Sequence, residues 1–526
     1  MIFLPVRNFK EEDLAVIEAR MHELAKKDYK IVGRQVPKDE ARQLYKDNPF
    51  KLEIIDQIEG ETVGIYRQGD FFDLCRGGHL DSIGKIKHFK LTGISGSYWR
   101  ADREGTALQR ITGVCFATKE ELAAYLKHLE DVQTYDHRRL GKQLDLFSFN
   151  ELSPGMPFFH HKGLIVYNKL IDYLRHLRGS DYQEIKTPQV VNESLWRTSG
   201  HYDNYKDHMY FTSVEDTSFC IKPMNCPGSI LHYKEKPHSY RELPWRLAEF
   251  GFMHRFELSG VLHGLMRVRA FTMDDCHIYC TVEQIEQEVF RSLELAQKLY
   301  SKFGFNDIKL ALSTRPAKYI GSEEVWDVAT NALKQALEKN GKPFVIQEGE
   351  GAFYGPKIEI KIQDAMGREW QCGTVQVDFF MPKNFELEYV DSDQSRKTPV
   401  ILHVAIYGSL ERFFGIILEH FKGHLPFWLA PVQIRVMTIT EQQDAYAAEV
   451  LQGLRDAGLR VERDLSSDQI SAQIRRAQVE KIPWMVVIGQ KEVDAKTLTL
   501  RHPDGKQEFG LTLEAFVARA QELNKY

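Results

Sequence analysis

The sequence predicts an α+β protein built around an antiparallel sheet, with a separate α/β domain at its carboxyl end. The first observation is a set of long strand patterns with alternating residues in the middle of the chain, at 267–278, 357–362 and 400–406. Such alternation is typical of an antiparallel sheet with one face covered. The second observation is a change of period after Pro431, where strand and helix patterns begin to alternate, which favours a mainly parallel sheet.

The amino-terminal part, residues 1–117, mixes short strand patterns with glycine turns, which predicts a small α+β domain. Thr118 to Glu121 form a capping-box signature, and the leucines that follow repeat at helical spacing, with Gly141 at the C-cap position. We therefore predict a linking helix within residues 118–149. The middle domain then covers residues 150–430, and its helices are expected at 161–178, 281–303 and 323–340.

The carboxyl-terminal segment, residues 431–526, predicts a βαβαβ unit. Its strands are expected at 432–440, 459–464 and 484–489, and its helices at 442–457, 468–480 and 511–523. Pro503 to Gly505 predict a turn before the last helix.

Composition excludes several classes of protein. A chain of 526 residues with 43% hydrophobic and 27% charged residues is globular, and no apolar run approaches the ~18 residues that span a bilayer. Seven scattered cysteines indicate no disulfide framework, so we expect a cytoplasmic protein with no membrane contact, whose cysteines are buried or bind metal. The net charge of −5 gives no global basic field, so any RNA contact must depend on local patches.

The strand at 267–277 carries the strongest chemical signal. Alternation places one set of side chains on one face: Arg267, Arg269, Phe271, Met273, Asp275 and His277. This mixture of cations, aromatic ring, carboxylate and imidazole favours a binding face over a merely solvated one. Asp274, on the opposite face, then needs a partner or an exposed edge.

Two arginines stand where phosphate groups are often bound. Arg255 ends a strand and Arg412 lies in the first turn of a helix, and guanidinium groups bind phosphate through paired, charge-assisted hydrogen bonds. The sequence has no P-loop, and the glycines at 349–355 lack the spacing and preceding strand of a Rossmann loop, so a glycine turn before a strand is the simpler interpretation. A nucleotide would therefore be held by arginines.

These residues carry a family resemblance. Pro188, Arg255 with Glu257, and the segment 408–412 resemble motifs 1, 2 and 3 of class II aminoacyl-tRNA synthetases. The segments 223–228, 274–277 and 402–403 narrow the resemblance to the threonyl-tRNA synthetase family, over nearly the whole chain from about residue 10. It implies a class II antiparallel catalytic domain, an anticodon-binding carboxyl-terminal domain and a homodimer built around motif 1. The implied activity is ATP-dependent ligation of L-threonine to tRNA(Thr) through a threonyl-adenylate.

The resemblance also implies roles for individual residues. Zn²⁺ would be bound by Cys226, His277 and His403, whose wide separation matches no local finger pattern. ATP, with Mg²⁺, would be bound by Arg255, Glu257, Arg267, Phe271 and Arg412. Threonine would contact Asp275, Tyr354, Gln371 and Lys357, and Lys357 would also act in catalysis with Arg255 and Arg412. His201 matches a position implicated in transfer to tRNA, and its alternative is a surface histidine in a turn.

Residues near the two ends of the chain also match functional positions of the family. Glu492 and Arg501 match positions that read anticodon bases, and the alternative is a surface ion pair. Asp73, Cys75 and His79 match part of the family's editing site, but the upstream histidine pair has no counterpart in these residues. We therefore expect a shortened form, natural or engineered, in which removal of serine from tRNA(Thr) is lost.

Two departures from the family pattern are Phe256 in motif 2, in place of a polar residue, and Met273, in place of glutamine. Neither removes an arginine or a metal ligand. A non-catalytic relative that binds tRNA or a protein partner is the alternative function. Retention of both arginines and all three metal ligands argues against it, because a pure binder has no need of the whole set.

Overall fold

The computed structural model describes residues 2, 3, 8–102 and 105–526. The chain forms two units, Met1–Val132 and Gln133–Tyr526. Among the described residues, no helix is long and apolar enough to cross a membrane.

The first unit is a small α+β domain, as predicted. Its helices are α1 (Glu11–Lys26), α2 (Lys38–Leu44), α3 (Pro49–Gln57) and most of α4 (Lys119–Thr134). Its strands are β1 (Ile2–Phe3), β2 (Ile31–Pro37), β3 (Thr62–Gln68), β4 (Phe71–Leu74), β5 (His88–Tyr98) and β6 (Ala107–Phe116). They form two antiparallel sheets, in the orders β1-β6-β5 and β2-β3-β4.

The segment predicted as a linking helix contains two helices. α4 ends at Thr134, and α5 (His137–Gln143) begins after Asp136, whose carboxylate caps it by accepting a hydrogen bond from the amide of Arg138. The leucine spacing continues through this break, because periodicity does not register two non-helical residues, Tyr135 and Asp136, the second of which caps the next helix.

The centre of the second unit is an eight-stranded sheet. Its order is β16-β15-β17-β18-β21-β14-β13-β9, antiparallel except for parallel pairs at the two edges. These strands are β9 (Gln183–Glu184), β13 (Trp245–His254), β14 (Ala270–Cys280), β15 (Ile308–Ser313), β16 (Phe344–Gln347), β17 (Lys357–Gln363), β18 (Glu369–Asp378) and β21 (Val400–Ala405). The predicted antiparallel sheet is confirmed.

Helices surround this sheet, and short strands lie beside it. The helices are α6 (His161–Arg178), α7 (Glu193–Thr198), α8 (His201–Tyr205), α9 (Cys226–Tyr233), α10 (Ile285–Lys302), α11 (Glu323–Asn340), α12 (Phe380–Asn384) and α13 (Leu410–His420). The short strands are β7 (Phe147–Ser148), β8 (Phe158–Phe159), β10 (Val190–Asn192), β11 (Tyr210–Val214), β12 (Thr217–Ile221), β19 (Tyr389–Val390) and β20 (Arg396–Lys397). α10, α11 and α13 pack on one face of the sheet and form the main core, which leaves the other face for the site.

The carboxyl-terminal part is an α/β domain with its own core. Its strands are β22 (Ile434–Thr438), β23 (Val461–Arg463), β24 (Trp484–Ile488), β25 (Leu498–Arg501) and β26 (Gln507–Leu511), in the order β23-β22-β24-β25-β26. Its helices are α14 (Asp444–Asp456), α15 (Ile470–Val479), α16 (Gln490–Ala495) and α17 (Leu513–Leu523). The first three strands are parallel, but β25 and β26 form an antiparallel hairpin on either side of the predicted turn, so the sheet is mixed.

Candidate active site

The face of the large sheet opposite α10, α11 and α13 holds a cavity of about 390 Å³, beside the part of that face on which α9 and α12 pack. It is lined by most of the residues singled out from the sequence: Cys226, Arg255, Glu257, Arg267, Phe271, Asp275, His277, Tyr354, Gln371, His403 and Arg412. Lys357 and His201 do not belong to this lining. The cavity therefore gathers residues from strands, loops and helix starts that are far apart in the sequence.

Sheet register brings the candidate metal ligands together. His277 of β14 pairs directly with His403 of β21, which pairs on its other side with Gln376 of β18. Cys226 is the first residue of α9, and the ligand atoms of Cys226, His277 and His403 all lie within 4.8 Å of one another. Strand pairing thus supplies the proximity that sequence spacing does not show.

The chemistry of this triad fits a zinc ion. Burial raises the pKa of the Cys226 thiol and lowers the pKa of His277, so the imidazole is neutral and free to act as a ligand. The Nε2 atom of His403 lies 2.9 Å from the Asp378 carboxylate, the kind of hydrogen bond that orients a metal-binding histidine. One sulfur and two nitrogen ligands leave a coordination position for a substrate.

Asp275 lies beside the triad and has a fixed orientation. Its Oδ2 atom accepts a hydrogen bond of 2.6 Å from the Nδ2 atom of Asn225, and burial raises the pKa of its carboxyl group. Gly251 beneath makes room for this contact, because a Cβ atom there would lie 2.1 Å from the Asn225 amide oxygen. Asn225 was not predicted from the sequence as a site residue, although it immediately precedes Cys226.

The two phosphate-binding candidates are held by backbone carbonyl groups. Arg255 donates from Nε to the oxygen of Pro223 at 3.1 Å, and its guanidinium group lies 5.1 Å from the Phe271 ring. Arg412 donates from Nε to the oxygen of Met266 at 3.0 Å. Both arginines line the cavity together with Phe271, a combination that suits a nucleoside polyphosphate.

The far wall of the cavity contains Tyr354, whose hydroxyl donates a hydrogen bond to the side-chain oxygen of Gln376. The Tyr354 ring lies 5.5 Å from that of His403. Lys357, by contrast, pairs its ammonium with Glu359 at 2.8 Å, outside the lining. Gln376 was not singled out in the sequence, since only its register opposite His403 marks it.

The predicted alternating face needs one correction. Arg269 is not on the cavity wall, because β14 begins only at Ala270 and strict alternation does not hold before it, where the adjacent residues Arg267 and Val268 both line the cavity. Its buried guanidinium group donates to the backbone oxygen of Glu257 at 2.8 Å and to Ser259 at 3.2 Å. Arg269 therefore stabilises the motif 2 loop.

The expectation that Asp274 needs a partner is confirmed. Its buried carboxylate accepts hydrogen bonds of 2.9–3.1 Å from three successive backbone amides, those of residues 406, 407 and 408. These residues lead into α13, which carries Arg412. Asp274 thus shapes the segment that positions this arginine.

His201 is not a surface histidine, so that alternative is wrong. Its side chain is fully buried, its Nδ1 atom lies 2.7 Å from the Ser199 hydroxyl, and burial lowers its pKa to about 3. Its Nε2 atom lies 3.9 Å from the sulfur of Cys226. The residue contacts the triad from behind the cavity wall.

A second group of potential ligands, Asp136, His137 and Glu419, serves a different purpose. The Nδ1 atom of His137 lies 2.6 Å from the Glu419 carboxylate, and its Nε2 atom accepts a hydrogen bond from the amide of Leu265. Asp136 binds the guanidinium group of Arg138. With both ring nitrogens engaged, the group stabilises the fold.

The structure also places the residues predicted at the two ends. The carboxylate of Glu492 accepts hydrogen bonds from the Gly489 amide at 2.9 Å and the Thr499 hydroxyl at 2.8 Å, whereas Arg501 ends β25 with a buried Nε atom. The Glu492 carboxylate therefore accepts hydrogen bonds both from the start of its own helix and from the neighbouring strand.

In the first unit, Asp73 pairs with Lys51 at 2.5 Å. Cys75 is half-buried, with its sulfur 3.7 Å from the oxygen of Gly77, and the exposed His79 ring lies 4.2 Å from Tyr66. The carboxylate of this partial editing motif is thus already engaged by a lysine.

Comparison with known proteins agrees with this architecture. Residues 210–421 match the tRNA synthetase class II core domain (G, H, P, S and T), and residues 433–523 match an anticodon binding domain. Residues 63–112 match the threonyl and alanyl tRNA synthetase second additional domain. Fold and site together define a class II aminoacyl-tRNA synthetase.

Similar proteins narrow the class. The chain is 50% identical to the threonine–tRNA ligase of Thermotoga neapolitana, over 97% of this chain and 80% of that protein, and 49% identical to that of Acetivibrio thermocellus, over 98% and 82%. The solved RNA binding domain of threonyl-tRNA synthetase from Cryptosporidium parvum aligns with a TM-score of 0.72 at 45% identity, covering 74% of this chain and 98% of that one. The chain belongs to the threonine–tRNA ligase family and functions in charging tRNA with threonine.

Proposed function

We propose that this chain charges tRNA(Thr) in two steps within the single cavity, through a threonyl-adenylate. The observation that carries the proposal is that one cavity of about 390 Å³ combines a Cys-His-His triad, the carboxylate of Asp275 and two guanidinium groups. The triad and carboxylate suit an amino acid with a hydroxyl group, and the guanidinium groups suit ATP.

In the first step, the threonine carboxylate attacks the α-phosphorus of ATP and pyrophosphate leaves. Arg255 would bind the α-phosphate and Arg412 the γ-phosphate, with Mg²⁺ accompanying ATP. Glu257 and Arg267 line the same region, and Phe271 offers its ring to the adenine. This reaction needs little proton transfer from the protein, so stabilisation of phosphate charge is the main contribution.

Threonine selection would depend on the triad and Asp275. Cys226, His277 and His403 would hold Zn²⁺, which when bound supplies a Lewis acid for the amino and hydroxyl groups of threonine. Asp275, oriented by Asn225, accepts the hydroxyl proton in a hydrogen bond. A site that must engage a hydroxyl rejects valine strongly, whereas an apolar pocket discriminates poorly between such isosteres. Tyr354 and Gln371 complete the pocket wall.

In the second step, the terminal ribose of tRNA displaces AMP. His201 is buried behind Cys226, so we assign it a positioning role in this transfer. Lys357 is paired with Glu359, and neither residue lines the cavity, so we assign Lys357 no direct contact with the substrates.

The remaining parts of the chain would serve tRNA and assembly. We assign residues 1–117 to a partial editing-type domain, 118–149 to the link, 150–430 to catalysis and 431–526 to anticodon binding, with Arg501 and Glu492 among the base contacts. The carboxylate oxygens of Glu492 would accept hydrogen bonds from a base in addition to those from Gly489 and Thr499. Exposed apolar side chains around motif 1, Val190 and Leu231, suit a homodimer interface. We further propose that a protein consisting of these 526 residues alone would not clear seryl-tRNA(Thr), because the histidine pair that completes the family's editing site beside the Cys75 and His79 positions has no counterpart among them.

The proposal is tested by ATP–pyrophosphate exchange with each amino acid in turn, with and without a zinc chelator. We expect exchange with threonine, weaker exchange with serine, none with valine, and inhibition by the chelator. Binding of tRNA(Thr) without exchange for any amino acid would instead identify a non-catalytic relative.

A further inference from the structure

Six aromatic side chains near Arg255, here called the aromatic band, form two groups of contacting rings, which are Tyr205 with His208, and Phe252 with His254, Tyr210 and Phe256. The two groups are joined by the contact of the His208 side chain with the backbone oxygen of Phe256. Adjacent rings in this aromatic band lie 4.8–6.4 Å apart, as in Tyr205–His208, Tyr210–Phe256, Tyr210–His254 and Phe252–His254. Phe252 and Phe256 are 38% and 40% exposed. Large apolar rings so exposed contribute little to the core.

Phe256 is held rigidly although its ring is exposed. Its amide donates to the backbone oxygen of His208 at 2.9 Å, and its own oxygen lies 3.1 Å from the Nδ1 atom of the same histidine. The edge of the ring meets Tyr210, and the guanidinium group of Arg269 lies 5.0 Å from its centre. A fixed ring loses little conformational entropy when a planar ligand stacks on it.

The aromatic band adjoins the cavity at Phe256, which lies between two lining residues in the sequence. Arg255 and Glu257 line the cavity, whereas Phe256 between them does not. The guanidinium group of Arg255 lies between the Phe271 ring inside, at 5.1 Å, and the Tyr205 ring outside, at 5.6 Å. Phe256 therefore belongs to the same loop as two lining residues without lining the cavity itself.

Positively charged side chains lie close to aromatic rings in and next to the band. Besides Arg255 and Arg269, the side chains of Arg197 and Lys206 lie 3.7 and 4.8 Å from the ring of Tyr202, in the helix that also carries Tyr205. Aromatic faces interspersed with positive charge are the composition that binds single-stranded nucleic acid, by stacking on bases and attracting the backbone.

We propose that Phe256 is a stacking platform for a base in the single-stranded 3′ end of tRNA. This inference rests on the proposed function, because the 3′ end must reach the cavity for the ribose to be acylated. The aromatic band adjoins Arg255 and Glu257 of the cavity lining, arginine and lysine side chains lie against its rings and that of Tyr202, and its exposed rings offer the faces that unpaired bases need. The phenyl ring, which replaces the family's polar residue, thus adds a contact of this chain's own.

The test is a thermodynamic cycle on tRNA binding. Affinity for intact tRNA(Thr), and for the same tRNA lacking its single-stranded 3′ nucleotides, is measured for the wild type, Phe256→Ala, Phe256→Leu and Phe256→Tyr. The matched control is Phe158→Ala, which truncates another exposed phenylalanine of the same unit, 51% exposed in β8.

We expect Phe256→Ala and Phe256→Leu to weaken binding of intact tRNA by about 5- to 150-fold, the usual range for one lost base stack. The Tyr variant and the Phe158 control should bind as the wild type does, and no variant should change binding of the shortened tRNA. Unchanged affinity of Phe256→Ala for intact tRNA, or an equal loss on the shortened tRNA, overturns the inference. So does dissociation of a dimer by Phe256→Ala, which would make the ring a contact between copies of the chain.

Threonine-dependent ATP–pyrophosphate exchange separates this inference from the proposed function. Exchange requires no tRNA, so its absence in the wild type refutes the proposed function while the binding cycle still tests the stack. Normal wild-type exchange with no effect of Phe256→Ala on tRNA binding refutes only the stack. If Phe256→Ala reduces exchange as much as it reduces tRNA binding, the ring supports the cavity instead, which also overturns the inference.

Discussion

Removal of the Arg412 guanidinium group tests the assignment of the phosphate site. The Nε atom of Arg412 is engaged by the oxygen of Met266, which turns the rest of the guanidinium group towards the cavity. Arg412→Ala should lower kcat/KM for threonine-dependent exchange by about 10² to 10³, the usual cost of one electrostatic donor to a transition state. Arg412→Lys should restore only part of this, because an ammonium cannot make the paired hydrogen bonds of a guanidinium group.

Stability should change far less than activity. Arg412→Ala loses one hydrogen bond to a neutral carbonyl group, about 0.5 to 1.5 kcal/mol, so the thermal transition should shift only slightly. The control is Arg175→Ala, an exposed arginine paired with Glu184, which should leave exchange unchanged. Near-normal exchange in Arg412→Ala would refute the phosphate assignment, and unfolding of the variant would show that the residue is structural.

Four further predictions concern metal, RNA, editing and stability. Metal analysis should find about one zinc per chain and His403→Ala should abolish threonine activation; an active preparation without zinc would contradict the triad assignment. Arg501→Ala should weaken use of tRNA(Thr) by about 1 to 3 kcal/mol and leave ATP–pyrophosphate exchange unchanged. An equal loss for a tRNA whose anticodon has been substituted would indicate a general phosphate contact. The 526-residue chain should accumulate seryl-tRNA(Thr); rapid hydrolysis of preformed seryl-tRNA(Thr), lost in Cys75→Ala, would disprove this. Burial alone would raise the pKa of Glu419, but hydrogen bonds, the first from His137, lower this pKa below its usual value of 4.5. The stability that Glu419 contributes is therefore fully present above pH 4.5 and is lost as the pH falls through the pKa of the folded state. Glu419→Gln should therefore be less stable than the wild type at pH 7, by a margin that shrinks in acid, and a margin independent of pH would contradict the linkage.

Long, regular elements were predictable from the sequence. The helices at 161–178 and 323–340 have the predicted bounds, because each buries an apolar stripe along several turns. In the carboxyl-terminal domain, α16 and the hairpin of β25 and β26 were not predicted as separate elements. Short segments carry too few periods for a pattern to be distinguished, and here tertiary contacts with β24 determine the structure.

The sequence by itself determined the fold class, the segments that carry chemistry and, through family motifs, which side chains are candidates for the metal and phosphate sites. Only the tertiary structure decided how they meet. Residue alternation is a local property, but the pairing of His277 with His403 depends on the register between β14 and β21. The same holds for the Asn225 contact to Asp275, for the burial of His201 and for the three amides that Asp274 holds in place. Each depends on the approach of segments far apart in the chain, which is set by packing over the whole sheet and leaves no trace in local periodicity.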